Sequence, residues 1–391
     1  MSNARAYLSD GRLFLIQPDG KEQEITSAFV VDLQKRLQSI KERREWKSSG
    51  SGAQFARGGL PVGGQYEVDR FNPRFSSCCP AVEDHCLYYA IDAGDVHGIF
   101  HYDFVEKREL RLTHGPDRRF SWLAAHPDGE QLAVAIHHAD GTGSIGIMNP
   151  SKSGGVREIT EGDSVDSYPA WVPGDGRSLV FQSSGVARRN GDWAGLGPAS
   201  IQMLNLDTGA IDSLVEDPHS DFLCPSYGKD GMMYFIQRPY ESAVRSKPLD
   251  SLKDIVFFPF RLVRALFAFL NVFSVFFSGK PLKTTGGPKR LGPDPKAVFL
   301  YGRWLHLQQA TAPGQADEPS SKVPSSWVLK RLTPGSPLAE AEVVATGVMA
   351  YAVAHDGSVF YSTGNHVFQW EKNSSPQRVS KLSLVTCLIV R

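Results

Sequence analysis

The chain has 391 residues, 41% hydrophobic and 10% aromatic, enough to bury a core in one large all-β domain or in two or three smaller ones. Its 42 basic residues balance 42 acidic ones, so net charge points neither to a nucleic-acid partner nor to a polyanion mimic. The five cysteines (Cys78, Cys79, Cys86, Cys224 and Cys387) are odd in number and lack a C-x-x-C spacing, which reads as reduced core thiols.

The first segment, "ARAYLSDGRLFLIQPDGKEQEITS", reads as three short strands around turn residues. No basic region followed by an apolar one precedes it, so no secretory signal is expected and a cytoplasmic compartment is. From residue 27, "SAFVVDLQKRLQSIKERREW" places Val30, Leu33, Leu37 and Ile40 on one stripe, with Lys35, Arg36, Lys41, Arg43 and Arg44 elsewhere. An amphipathic helix follows, with Ser27 as its N-cap. The Gly-rich "SSGSGAQFARGGLPVGG" closes a helical insertion over 27–66 and is no phosphate cradle, since no G-x-x-x-x-G-K-[ST] is present.

Beyond it a turn signal recurs, each time between a short alternating strand and an apolar one: "HPDGEQLAVAI", "PGDGRSLVFQS", "GKDGMMYFIQ" and "AHDGSVFYST". Asp-Gly suits a tight hairpin because Gly accepts positive φ and Asp tolerates the neighbouring left-handed conformation. Asp128 and Asp175 are 47 residues apart, and Asp175 and Asp230 are 55 apart, as expected for four-stranded propeller blades with loop insertions. "AVEDHCLYYAI" occupies the same place without the glycine. A second hairpin follows the first, as in "SIQMLNLDTGAIDSLVED" and "GIFHYDFVEKRELRLTHG".

These repeats resemble those of the TolB-type β-propeller family, with a "P-x-W-S-P-D-G" turn, a strand ending in D-x-x-T-G and a closing L-T; "YPAWVPGDGRSLVFQSS" with "MLNLDTGAIDSL" is the best match. Residues 70–240 and 340–391 carry the resemblance, which implies an all-β, six-bladed propeller. Repeats centred on Asp84, Asp128, Asp175 and Asp230, one more at "MAYAVAHDGSVFYSTGNHVFQW" and the N-terminal strands make six blades. The apolar "LVTCLIVR" would close the ring as the missing inner strand of the N-terminal blade, removing exposed edges; seven blades is the alternative count. No segment resembles the TolB N-terminal domain, so the Tol-specific role is not expected.

A second insertion, 242–325, falls inside the fifth blade and carries "FFPFRLVRALFAFLNVFSVFFSG" at 257–279. Pro259 suits a first helical position and Gly279 a C-terminal cap, so an amphipathic helix over 259–278 is expected. At about 100° per residue, Arg261, Arg264, Asn271, Ser274 and Ser278 form a polar arc; Phe260, Leu262, Leu266, Phe267, Phe269, Leu270, Phe273, Phe276 and Phe277 fill the apolar remainder. Two early arginines and a continuous polar stripe disfavour a lone transmembrane span, and a helix buried on the propeller wall would hide only part of the apolar arc. A helix lying in a membrane surface or docking on a partner fits best. Lys280, Lys283, Lys289 and Arg290 follow it, suited to acidic lipid headgroups.

No G-x-S-x-G elbow, H-E-x-x-H or compact His/Cys spacing is present, and "DAGDVHG" and "HHADGTG" read as turns. No catalytic residue, cofactor or metal is therefore expected. The segments leading into the innermost strands offer a charged residue close before an aromatic: Arg74 with Phe75, Arg119 with Phe120, Asp166 with Tyr168, Asp221 with Phe222. Mixed signs suit a protein partner. The expectation is a non-catalytic scaffold or adaptor binding a protein at the funnel and, through the 257–279 helix, a membrane surface or membrane complex. The alternative is a metal-dependent carbohydrate-active lyase or hydrolase with its site in the funnel.

Overall fold

The computed structural model describes residues 5–17, 20–49, 73–152, 154–174, 177–189, 192–241, 297–300, 303–306, 321–372, 374–382 and 384–390. The insertion helix expected over 259–278, with Phe260, Arg261, Arg264, Phe267, Phe269, Leu270, Phe273, Phe276 and Phe277, lies outside the described residues. Among the described residues, no helix is long and apolar enough to cross a membrane.

The described strands group into six four-stranded antiparallel blades, the third and fourth joined into one sheet by a single parallel bridge between Gly143 and Val165. The first joins β1 (Arg5–Ser9), β2 (Arg12–Ile16) and β3 (Glu22–Ile25) to the last strand of the chain, β27 (Val385–Ile389). The second holds β4 (Arg74–Pro80), β5 (Cys86–Asp92), β6 (His97–Asp103) and β7 (Arg108–Gly115). The third holds β8 (Arg119–Ala125), β9 (Leu132–His137), β10 (Gly143–Met148) and the short β11 (Arg157–Glu158). The fourth is built from β12 (Ser164–Trp171), β13 (Ser178–Arg189), β15 (Ser200–Asn205) and β16 (Ile211–Val215). In the fifth, β17 (Ser220–Tyr227) and β18 (Met233–Pro239) continue into β21 (Val328–Leu332) and β22 (Glu342–Thr346). The sixth is β23 (Ala350–Val353), β24 (Val359–Ser362), β25 (Val367–Trp370) and β26 (Gln377–Ser380). The expected closure is present: β27 pairs antiparallel with β1, Ala6 opposite Ile389 and Leu8 opposite Cys387. Within the fifth blade β18 and β21 are direct neighbours, Gln237 opposite Val328, although the whole of 240–327 separates them in sequence.

Strand alternation explains where the core sits. In β9, Leu132, Val134 and Ile136 face the second blade, in one cluster with Tyr88, Ala90 and Ile99, while Ala133 and Ala135 face the fourth, with Leu179 and Phe181. A middle strand such as β9 is thus buried on both faces and reads as an apolar run in sequence, whereas outermost strands such as β7, β16 and β26 are largely exposed. The ring of inner strands is continuous: β27 lies beside β4, β4 beside β8, β8 beside β12, β12 beside β17 and β23 beside β27. The Tyr351 hydroxyl of β23 completes it, donating toward the carbonyls of Cys224 at 2.5 Å and Tyr234 at 2.7 Å in the fifth blade.

The repeated Asp-Gly turn works as its chemistry requires. In the third blade the Asp128 carboxylate accepts from the Glu130 N–H at 2.8 Å while Gly129 takes φ 76°. The fifth and sixth blades repeat this with Asp230 and Gly231 at φ 75°, and Asp356 and Gly357 at φ 86°. A second recurrence was not visible in sequence. The inner strands β8, β12 and β17 each break register around one non-glycine residue in the left-handed region: Trp122 (φ 50°), Tyr168 (φ 53°) and Cys224 (φ 53°). Such a bulge re-aims the strand. At the first two it brings the Trp122 and Tyr168 rings into a stack with centroids 3.7 Å apart.

The expected N-terminal helix is α1 (Ala28–Ser49), and the Ser27 hydroxyl accepts from the Val30 N–H at 3.3 Å. Its first two turns present Phe29, Val30 and Leu33 to the core between the first and second blades, whereas Ile40 is exposed. A second compact unit comprises residues 187–196 and 241–308; its described parts include β14 (Asp192–Leu196), paired with the end of β13, and a hairpin of β19 (Ala297–Leu300) with β20 (Arg303–His306).

Candidate functional site

The N-terminal ends of the inner strands share one mouth of the ring, and in four blades one of the first three residues there is charged. Strand pairing sets each against a residue of the next strand: Arg74 opposite Asp92, Arg119 opposite His137, Asp166 opposite Ser183, Asp221 opposite Arg238. The four differ sharply in environment. Arg74 and Arg119 are exposed, whereas Asp166 and Asp221 are each 4% exposed. Asp166 accepts from the Ser183 hydroxyl at 2.7 Å. Asp221 accepts from Arg238 Nε at 2.8 Å and from the Ala199 N–H of the preceding blade at 3.0 Å. The Arg238 guanidinium lies 4.7 Å over the Trp327 ring. Both aspartates are therefore held inside the wall, and the arginines are what a ligand at the mouth meets.

Further polar side chains at this end stitch inner strands together. Ser77 Oγ accepts from the Leu123 N–H at 2.9 Å, Ser76 Oγ donates to the Phe120 carbonyl at 2.8 Å, and Gln182 Oε1 accepts from the Cys224 N–H at 3.2 Å. Beside Arg119, Ser121 Oγ and His137 Nε2 are 2.5 Å apart. Burial, reinforced by Arg119 and then His138, holds the His137 imidazole below its ordinary range. Ser121 is itself buried and so is not presented as a nucleophile. In the second blade His97 Nδ1 lies 3.2 Å from Asp92 Oδ1. Burial opposes ionisation of Asp92, but the nearby His97 ring and the Gly94 N–H, which donates at 2.9 Å, outweigh it and hold the carboxyl below its usual value.

Past His137, which lies opposite Arg119, the surface turns acidic. A cleft of about 630 Å³ between the β9–β10 loop and residues 159–163 is lined by His138, Asp140, Glu158, Glu161 and Asp163. Glu158 accepts from the Ser144 hydroxyl at 2.8 Å and lies 3.3 Å from both Arg118 and His138. This end of the strands thus carries exposed basic and exposed acidic groups.

Sequence reasoning did not single out a further feature. Past Ser183, β13 has no β15 partner and is paired by β14, and Trp193 of β14 is 54% exposed. The signal was the Asn-Gly dipeptide in "ARRNGDW", a strong hairpin marker. Among the described residues, groups of three metal-ligating side chains within mutual reach occur around Cys86, at the opposite end of the second blade's strands. His126 sits at that opposite end too, in a turn with Nδ1 2.7 Å from Asp128.

No protein-family model and no curated protein matches the chain. Solved structures do. A crystal structure of TolB from Acinetobacter baumannii is similar with a TM-score of 0.50 and 10% identity, over 99% of this chain and 66% of that one. The chain therefore spans just under two thirds of that TolB. A nidogen/laminin complex is similar with a TM-score of 0.52 and 7% identity, over 99% of this chain and 98% of that one. At such identities the likeness concerns fold alone. Six four-stranded blades, the closing β27–β1 pair and these similarities together make the chain a six-bladed β-propeller of the TolB-like fold.

Proposed function

We propose that the protein is a non-catalytic propeller scaffold that binds a protein partner at the mouth of the ring. The observation that carries this reading is the presence of exposed Arg74 and Arg119 and of an acidic cleft at the same end of the strands, while Ser121 and the aspartates there are buried inside the wall. Charges of both signs on a rigid base favour oriented docking of a protein over capture of a polyanion. The nidogen/laminin structure is itself a complex between two proteins, which is in keeping with this use of the fold.

The insertion at 257–279 extends the proposal: its broad Phe/Leu arc and flanking arginines attach the scaffold to the cytoplasmic face of a membrane or to a membrane complex. Vesicles of phosphatidylcholine with phosphatidylserine are mixed with the full chain and floated. Co-flotation that is lost on deleting 257–279 is the expected result, and equal flotation of the deletion variant overturns the membrane role. The mouth is tested separately by co-purification from native extract: an Arg74→Glu, Arg119→Glu double variant loses the partner that the wild-type chain retains, and unchanged recovery overturns the docking face.

A further inference from the structure

The second blade departs from the other turns at one place. Where the third, fifth and sixth blades carry Asp-Gly, it carries Glu83-Asp84-His85-Cys86. The outer frame of the hairpin is kept, for the Ala81 N–H donates to the Cys86 carbonyl at 3.2 Å as the His126 N–H donates to the Gln131 carbonyl at 2.8 Å in the third blade. Inside that frame the Cys86 N–H donates to the Glu83 carbonyl at 3.0 Å, and no residue between them takes positive φ. A turn that needs no glycine has room for side chains, and here they are a carboxylate, an imidazole and a thiol.

Those groups meet two more from the neighbouring strand. In the β5–β6 register Cys86 lies opposite Asp103 and Tyr88 opposite His101, so Cys86, His101 and Asp103 share one face of the sheet. Glu83, Cys86 and His101 bring their ligating atoms within 4.8 Å of one another, and so do His85, Cys86 and Asp103. Cys86 belongs to both triads. His85 Nε2 lies 3.5 Å from Asp103 Oδ2, and His101 Nε2 lies 3.9 Å from Glu83 Oε2. Asp103 is fixed from behind, its Oδ1 accepting from the Val105 and Glu106 N–H groups at 2.9 and 2.8 Å, which leaves Oδ2 toward the cluster. The His101 ring is flanked by Tyr88, with centroids 5.1 Å apart. The cluster grades from a buried thiol and carboxylate to half-exposed side chains, 49% for His85 and 56% for Glu83, so an ion can enter from solvent.

We propose that Cys86, His85 and His101, with Asp103 and Glu83, form a binding site for one thiophilic divalent cation of the Zn²⁺ class. A thiolate shared by two triads, each with one imidazole, selects such ions over Mg²⁺ or Ca²⁺, which take oxygen ligands. Tetrahedral Zn²⁺ with bonds of about 2.0–2.3 Å needs its ligand atoms slightly closer than they lie here, a closure within the rotamer freedom of the exposed His85 and Glu83. Binding converts the Cys86 thiol to thiolate, and its proton passes to solvent. The ion would pin the turn to the end of β6 without touching the ring's mouth.

The probe is Co²⁺, titrated into chelator-stripped full-length protein under reducing conditions, with Zn²⁺ as competitor. The expected result is one ion per chain, with a thiolate-to-cobalt charge-transfer band that Zn²⁺ abolishes. Cys86→Ser removes the band, and His85→Ala and His101→Gln each weaken binding by more than about 10-fold, the loss that even outer-shell changes cause at metal sites. His126→Ala, which alters a His–Asp turn in the next blade, leaves the titration unchanged. If Cys86→Ser does not fold, the half-exposed His85 decides the matter. A wild-type chain without the band, or equal affinity in the His85→Ala and His101→Gln variants, overturns the site.

Discussion

Arg238 Nε and Asp221 Oδ2 are 2.8 Å apart, with both side chains at most 5% exposed, so the fifth blade carries a buried ion pair at the mouth of the ring. Removing one member of such a pair leaves the other charge buried and uncompensated. Asp221→Ala is expected to cost about 3–5 kcal/mol, read as a lowered urea midpoint. Replacing both residues with apolar ones of similar volume should recover most of the loss. A single-variant loss below about 1 kcal/mol, the range of exposed pairs, would show the pair to be solvated.

Glu109 holds the start of α1 from 80 residues away in the chain. Its carboxylate accepts from the N–H groups of Ala28 at 3.1 Å and Phe29 at 2.9 Å, and from the buried Tyr89 hydroxyl. A carboxylate at a helix N-terminus satisfies orphan donors and complements the helix dipole. Glu109→Ala should therefore cost about 1–3 kcal/mol and raise amide exchange in the first turn of α1 selectively. Glu109→Gln, which keeps one acceptor, should lose less.

The left-handed bulge at Cys224 makes a stereochemical prediction. A β-branched side chain is least tolerated at φ 53°, and the following Pro225 already biases this residue toward extended backbone. Cys224→Val is expected to lose about 1–2 kcal/mol. Cys224→Gly should stay within about 1 kcal/mol of wild type, since relief at the bulge offsets the entropy of a freer unfolded chain. Equal losses in both variants would mean that packing, not backbone conformation, governs the position.

His137 sets a pH dependence whose sign follows from its environment. Burial, Arg119 and His138 lower its folded pKa, with Asp92 opposing them, while an unfolded imidazole titrates near about 6.5. Between those two values the unfolded chain binds more protons, so stability rises with pH through the window and falls as pH drops below about 6.5. His366, lowered by burial and then by Arg378 and Lys381, acts in the same direction. Urea midpoints measured from pH 7 down to pH 5 should decline, and His137→Gln should flatten the slope. An unaltered slope in that variant would assign the dependence to other groups.

Much of the ring was legible in the residues themselves. The Asp-Gly turns at 128, 230 and 356 place the hairpins because an Asx acceptor and a positive-φ glycine act over neighbouring residues. The apolar "LVTCLIVR" pointed to closure because the N-terminal strands lacked an inner partner, and β27 supplies it. The mouth was legible only in part. Arg74, Arg119, Asp166 and Asp221 occupy comparable strand starts, yet two are exposed and two are buried, because burial depends on what the adjacent strand sets opposite them.

Sequence alone therefore determined what depends on adjacent residues: strand period, turn type and the strand that closes the ring, with six blades favoured over seven. Tertiary structure decided what depends on strands coming side by side. Glu109 caps a helix it follows by 80 residues, and Asp221 finds Arg238 across a hairpin. Glu83, His85 and Cys86 converge with His101 and Asp103 only when β5 and β6 pair in register, which no local spacing of histidines and cysteines reveals. A ligand set or an ion pair is a relation in space, and the chain fixes it through the register of its sheets.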